Sequence, residues 1–234
     1  VSRGEKTDYT TFLAEGYEAG AFFLVQNDGI IKTNEELEAY NSIDASAQLG
    51  DIKYIDQNAD GMINDLDRVY SGSGQPEFES GLALNLEYKN IDFFIQGYYS
   101  HGAEIYNGAK LYAYSSGRHS DMYHQWTPQN PNTAIPTASQ HAYHKNVRAR
   151  SDLFMEDGTY LRIRNINIGY SIPRISNIGI DRLRIYLSAL NPFTFTNYEG
   201  YDPEVGGDGI FLRGVDRGNY PVARQFTIGL QLGF

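Results

Sequence analysis

The chain contains no cysteine, which excludes a disulfide framework, thiolate chemistry and any cysteine-ligated zinc centre. It also has no stretch approaching ~20 consecutive apolar residues, so no transmembrane helix is encoded. With 41% hydrophobic residues and a mean hydropathy of −0.46, the composition is not that of a helical membrane protein. Positive charge is in short supply: 19 Lys and Arg stand against 29 Asp and Glu, a net charge of −10. That imbalance repels a phosphate backbone and argues against nucleic acid as a partner, while it suits cation binding. No G-x-S-x-G elbow, H-E-x-x-H pair or phosphate loop occurs. The acid pair Glu156 and Asp157 is adjacent, so in an extended segment the two carboxylates point to opposite faces. Nothing here reads as an enzyme. Internal repeats and low-complexity linkers are missing too. Val1 is not an initiator methionine, and "VSRGEKTDYTTFLAEG" has neither the basic nor the apolar region of a signal peptide, so the chain reads as a piece of something longer.

What is plentiful is aromatic: 19 Tyr and 12 Phe beside a single Trp, mostly in runs of period two rather than at helical spacing. In "GLALNLEY" Leu82, Leu84, Leu86 and Tyr88 share one face, and Ala83, Asn85 and Glu87 the other. If Lys89 and Asn90 form a two-residue turn, Tyr88 pairs with Ile91 and the apolar face continues through Phe93, Ile95 and Tyr99. The last strand alternates in the same way, with Phe226, Ile228, Leu230, Leu232 and Phe234 against Gln225, Thr227, Gly229, Gln231 and Gly233. "RLRIYLSAL" sets Leu183, Ile185 and Leu187 against Arg182, Arg184 and Tyr186, and arginines on one face predict a wet interior, not a dry core. In "YLRIRNINIGYSI" the apolar phase switches after Ile163 to Ile166 and Ile168, which predicts a bulge near Arg164 and Asn165.

Connections alternate between short (89–90 and 173–179) and long (27–76, 102–151 and 194–218). An outer-membrane barrel has short turns at one rim, long loops at the other, and lipid-facing residues at every second strand position. The fold expected is therefore all-β, the antiparallel strands of a transmembrane β-barrel with long extracellular loops. The rival is a soluble or cell-surface carbohydrate-binding β-sandwich with a dockerin-like calcium loop. Leu82, Leu84, Leu86, Phe226, Ile228 and Leu230 separate the two, since a barrel turns them to lipid and a sandwich buries them. Within the loops, "TNEELEAY" carries a cap followed by acidic residues, the signal of a short helix.

"DQNADGMIND", within residues 51–70, follows the EF-hand pattern. Asp56, Asn58 and Asp60 supply side-chain oxygens and Met62 a backbone carbonyl; Asn64 is ninth, Asp67 twelfth, and Gly61 makes the turn. Asp67 stands where glutamate is usual and reaches less far, so bidentate binding is weakened and Mg2+ competes with Ca2+. An Asx-rich turn without metal is the other reading of these residues. The flanks read as strands, so an ion here would stiffen a loop and has no helix pair to move. Tyr106, Tyr112, Tyr114, Tyr123, Trp126 and Tyr143 fall in the long loops, where sugar rings stack on such side chains and packing among the loops is the alternative. His101, His119, His124, His141 and His144 read as solvated; "HAYH" lacks a third ligand.

Seven blocks in order carry a resemblance: "EGYEAGAFFLVQNDGIIKTNEELEAY", "GDIKYIDQNADGMINDLDRVYSGSGQPEF", "YKNIDFFIQGYYSHGAEIYN", "WTPQNPNTAIP", "FMEDGTYLRIRNINIGYSIP", "NPFTFTNYEGYDPEV" and "YPVARQFTIGLQLGF". From residue 15 to the end the chain resembles the C-terminal part of SusC/RagA-like TonB-dependent outer-membrane transporters. That resemblance implies a Gram-negative outer-membrane barrel of about 22 strands with a plugged lumen. It implies import of oligosaccharides or peptides, a SusD-like surface lipoprotein as lid, and energy delivered by TonB through an N-terminal part not in this chain. Counted from "YEAGAFFLV", residues 1–234 would supply about six strands of ~10 residues. The acidic loop would lie on the extracellular side, and the terminal Phe234 would be the signal read by the barrel-assembly machinery.

Overall fold

The computed structural model describes residues 6–7, 10–138, 150–175, 180–207, 209 and 211–233. Phe234, Tyr143, His141 and His144 lie outside the described residues. The chain divides into two compact units. One is built from Pro76–Ala103, Asp157–Pro203 and Tyr220–Phe234, the other from Val1–Gln75, Glu104–Glu156 and Glu204–Asn219.

The first of these is a single antiparallel sheet of five strands. They are β1 (Phe78–Tyr88), β2 (Ile91–His101), β3 (Tyr160–Ile175), β4 (Ile180–Thr196) and β5 (Gln225–Gly233), arranged in the order β5-β4-β3-β2-β1. The hairpin closes as its alternation predicts: Tyr88 pairs with Ile91 and Leu84 with Ile95, around a two-residue turn whose first member, Lys89, takes φ +54. Both ladders of β3 shift register between Ile163 and Asn165. The extra residue is Arg164, and its effect is a change of phase. Without it Asn165 and Asn167 would share a face with Ile163; with it Ile166, Ile168 and Tyr170 take that face instead. Opposite the bulge β4 carries Asn191, at φ +49, and Pro192, which has no amide to contribute and is tolerated where the ladder is already interrupted.

Following the registers across the sheet gives one continuous apolar face. Leu84 pairs with Ile95, Ile95 with Ile166, Ile166 with Ala189 and Ala189 with Phe226. Beside that row, Leu86, Phe93, Ile168, Leu187 and Ile228 form the next. These side chains are uncovered: Leu82 is 74% exposed, Phe226 73% and Ile228 77%. A sandwich would bury them under a second sheet. Among the described residues no second sheet lies on this face, so the sandwich alternative is set aside.

The second unit is a folded module, where the sequence suggested loops with one short helix. Ala21–Val25, counted above as the first barrel strand, is not in the five-stranded sheet. It pairs with Thr11–Phe12 and Arg68–Tyr70 in a separate small sheet. Four of its five residues are buried, the pattern of a core strand and not of a wall with one face exposed. Phe22 and Leu24 pack with Tyr106, Tyr114, Phe154 and Val215. Glu104–Asn107 pairs in parallel with Val215–Asp216, more than a hundred residues apart. Gly74 makes that approach feasible, since a Cβ there would sit 2.4 Å from the Arg213 carbonyl oxygen.

Helix α1 (Asn34–Tyr40) begins as predicted. Thr33 Oγ1 accepts the Glu36 amide at 3.2 Å and the Glu36 carboxylate accepts the Thr33 and Lys32 amides. The Lys32 amide is the main reason the Glu36 carboxyl is held below its usual range. Thr33→Ala removes one arm of this capping box and is expected to cost about 1 kcal/mol, read as faster amide exchange confined to residues 34–40; exchange unchanged there would contradict it. Helix α2 (Gly108–Ser115), not anticipated from the sequence, starts at Asn107, whose side chain accepts the Lys110 amide at 2.8 Å.

Candidate functional site

The face of the sheet opposite the apolar one is polar and cross-linked. Arg184 on β4 meets Asp92 on β2 through two parallel bonds, Nε to Oδ1 at 2.9 Å and Nη2 to Oδ2 at 2.5 Å, and reaches Asn167 Oδ1 on β3 at 2.8 Å. One guanidinium thus ties three strands with the planar fork that suits a carboxylate. Arg164, placed by the bulge, lies over the Tyr98 ring at 4.3 Å, and the Tyr98 hydroxyl donates to Glu79. Arg162 is 2% exposed; its Nη2 contacts Asp202 Oδ1 at 2.6 Å and its Nε donates to Thr194 Oγ1 at 3.1 Å. The wet interior expected from Arg182 and Arg184 is therefore present as a paired network. Asp202, from the connection after β4, escaped sequence reasoning because nothing local flags a partner forty residues away.

The apolar face has the dimensions of a membrane band. β1 and β2 have 11 residues and β5 has 9, against the ~9–11 of a tilted spanning strand. Tyr88 and Tyr170 sit toward the end with the two-residue turn, and Phe78, Tyr99, Phe193 and Phe195 toward the other. The eight steps from Ile91 to Tyr99 cover roughly 27 Å along the strand, or ~20 Å once tilted, close to an apolar band of ~25 Å between aromatic girdles.

The acidic loop is held by its own amides. Asp56 accepts from Asp60 N (3.3 Å) and Gly61 N (2.8 Å), and Asp60 accepts from Met62 N (2.9 Å). Ala59 and Gly61 take φ +56 and +81, which the tight turn requires. Side-chain bonds from Asn58 first, then the Met62 amide and Asn64, hold the Asp60 carboxyl below the usual carboxylate range. Asp67 is placed differently from the rest. It is fully buried, and its two oxygens accept Gln57 N at 3.0 Å and Asn64 N at 2.7 Å. It clamps the two arms of the loop together. Among the described residues, no group of three or more His, Asp or Glu side chains converges to hold a metal ion. The flanks are the strands Ile52–Tyr54 and Arg68–Tyr70, as expected.

The loop aromatics divide. Tyr106, Tyr114 and Trp126 are 2%, 6% and 8% exposed, which corrects the expectation that they meet substrate: the module needs them as core. Burial also pushes the Tyr106 hydroxyl pKa up. Tyr114 donates to Asp121 at 2.6 Å. Tyr112 and Tyr123 are exposed.

No protein-family model matches the chain. Individual proteins do. TonB-dependent receptors P3 and P26 of Formosa agariphila are 31% and 30% identical to it, each over 96% of this chain and 23% of the relative. TonB-dependent receptor SusC of Bacteroides thetaiotaomicron is 27% identical over all of this chain and 21% of its own length. The chain thus spans under a quarter of the curated relatives it matches. Among solved structures, the RagAB peptide transporter superposes on the whole chain with a TM-score of 0.78 at 22% identity, over 25% of its own length. Its "open-open" state gives 0.77 at 21% identity. At that identity the likeness is one of fold.

Proposed function

This chain belongs to the SusC/RagA-like TonB-dependent transporters, of whose barrel it forms the C-terminal part, and from that premise we propose that the protein imports a nutrient across the outer membrane of a Gram-negative cell. The cargo is an oligosaccharide or a peptide. The observation that carries the reading is the two-faced sheet: uncovered Leu, Ile and Phe on one side, paired arginines on the other. Lipid takes the first face and the aqueous interior the second. A sheet with two open edges cannot sit in lipid with its backbone groups unpaired, so the work is done by the longer protein, in which further strands complete the wall. The partners are a SusD-like surface lipoprotein over the loops, TonB at the N-terminal part, and outer-membrane lipid. Transport requires no chemistry on the cargo.

The test is uptake of labelled oligosaccharides and peptides by cells with and without the full-length gene. Loss of uptake of one class in the deletion strain, and in a strain lacking TonB, is the expected result. Equal uptake in all three strains would contradict import.

The loop at residues 56–67 is proposed to bind a divalent cation, Ca2+ or Mg2+, on the extracellular side. Donor types and spacing support Asp56, Asn58, Asp60, the Met62 carbonyl and Asn64 as ligands, while Asp67 keeps its clamp. Lacking a bidentate acid, the site belongs at the weak end, ~10⁻⁴ to 10⁻³ M. The ion would stiffen an acidic loop that buries little apolar surface and so recovers little of the entropy lost on ordering. Calorimetric titration of the intact transporter should show calcium-dependent heat that Asp60→Ala abolishes. No difference between the two proteins, with loop proteolysis unchanged by chelator, would leave an Asx-rich turn.

A further inference from the structure

Where β4 ends and β5 approaches, the polar face holds a cavity of about 350 Å³ lined by Arg162, Asn191, Thr194, Tyr201, Asp202 and Arg224, with Pro203, Pro221 and Val222 closing its sides. Its floor is the buried ion pair, which is already neutral: Asp202 holds Arg162 through Oδ1 and accepts the Val222 amide through Oδ2 at 2.9 Å. Groups that face into the space are less occupied. Thr194 Oγ1 accepts from Arg162, and among the described residues its own proton has no acceptor. Asn191 uses only Nδ2, in a long 3.4 Å bond to the Ala223 carbonyl, leaving Oδ1 as an open acceptor. Tyr201 is 74% exposed, so a flat aromatic face stands at the mouth at full hydration.

We propose that this cavity is a subsite for one sugar ring of a neutral oligosaccharide, an inference that rests on the import reading above. The volume falls within the 300–1,000 Å³ of small-molecule sites and suits a single pyranose. An aromatic face beside a compact set of both donors and acceptors matches a ring that carries C–H bonds on one side and hydroxyls, each donor and acceptor, around its edge. A peptide backbone would ask for an extended row of amide partners, and an acidic ligand would meet Asp202 at the floor. The cavity is on the polar face, which import assigns to the cargo's path.

The test uses the full-length transporter in lipid nanodiscs, titrated by calorimetry with short neutral gluco-, manno- and galacto-oligosaccharides and with tri- to hexapeptides of mixed sequence. At least one oligosaccharide should bind. Tyr201→Ala should weaken it by about tenfold, roughly the loss of one good contact, and Thr194→Val, which keeps the shape and removes the hydroxyl, by a few-fold. Tyr123→Ala, in the other unit, should leave binding unchanged. Tyr201 is exposed, so its loss is not expected to disturb folding, and heat-modifiable migration checks that the barrel is intact. Binding of no oligosaccharide, equal affinity in Tyr201→Ala, or a peptide whose affinity depends on Tyr201 would each overturn the proposal. TonB-dependent uptake of a peptide alongside such a result would sink this subsite and leave the import reading standing; no uptake of either class would sink the reading itself.

Discussion

Arginine in place of Leu230 is expected to destabilise the full-length barrel by about 2–4 kcal/mol, and arginine at Thr227 or Gln231 by much less. Leu230 pairs with Ile185, and Ile185's neighbours on that face are apolar across the sheet. With 68% of its surface uncovered, the side chain has nothing from this chain to pack against. In lipid that exposure costs nothing, because the hydrocarbon is its solvent; a guanidinium there must snorkel or drag water in. Thr227 and Gln231 lie one residue away on the opposite phase, paired with Ser188 and Arg184, where charge is ordinary. Denaturant titration of the three variants in lipid vesicles reads the difference. Equal losses on both phases would show that the two faces meet the same solvent.

Asp202→Ala is expected to cost about 3–5 kcal/mol, the penalty for stranding a buried charge. The Arg162 side chain is 3% exposed and that of Asp202 11%, so water cannot easily replace the lost carboxylate. The Val222 amide loses its acceptor at the same time. Asp202→Asn should fall between, since it can still accept hydrogen bonds. Removing both charges in Arg162→Leu/Asp202→Ala should cost clearly less than the sum of the single changes, because neither leaves the other unpaired. An additive double variant would mean that the pair is solvated and carries little.

Period-two alternation made the sheet legible. Because each residue's face is fixed by its parity, Leu82 to Tyr88 and Phe226 to Leu232 declared their face, the Tyr88–Ile91 register followed from the turn length, and the broken phase after Ile163 located the bulge to the residue. The loop module resisted for a different physical reason. Its core joins residues that no local pattern connects: Phe22 with Tyr106 and Phe154, Tyr106 with Val215. Tyr106 and Tyr114 look in sequence like Tyr112 and Tyr123, and only tertiary packing decides which ring is core and which is surface. Asp67 shows the same limit at one residue. The EF-hand spacing makes it a ligand, whereas burial and two main-chain amides make it a clamp. At the candidate sugar subsite, Thr194 was visible only as a polar strand position and Tyr201 only as one more loop tyrosine.

The absence of cysteine from this chain makes one measurement especially clean. Single cysteines at Leu84, Ile228, Asn85 and Thr227 in the full-length protein, any other cysteine replaced, can be spin-labelled and the protein placed in a bilayer. Collision of each label with oxygen, which partitions into lipid, is then compared with collision with a water-soluble nickel chelate. The expected result is that Leu84 and Ile228 report high oxygen and low chelate accessibility, with Asn85 and Thr227 reversed. Chelate accessibility as high at Ile228 as at Thr227 would contradict the assignment of this face to lipid and, with it, the membrane barrel.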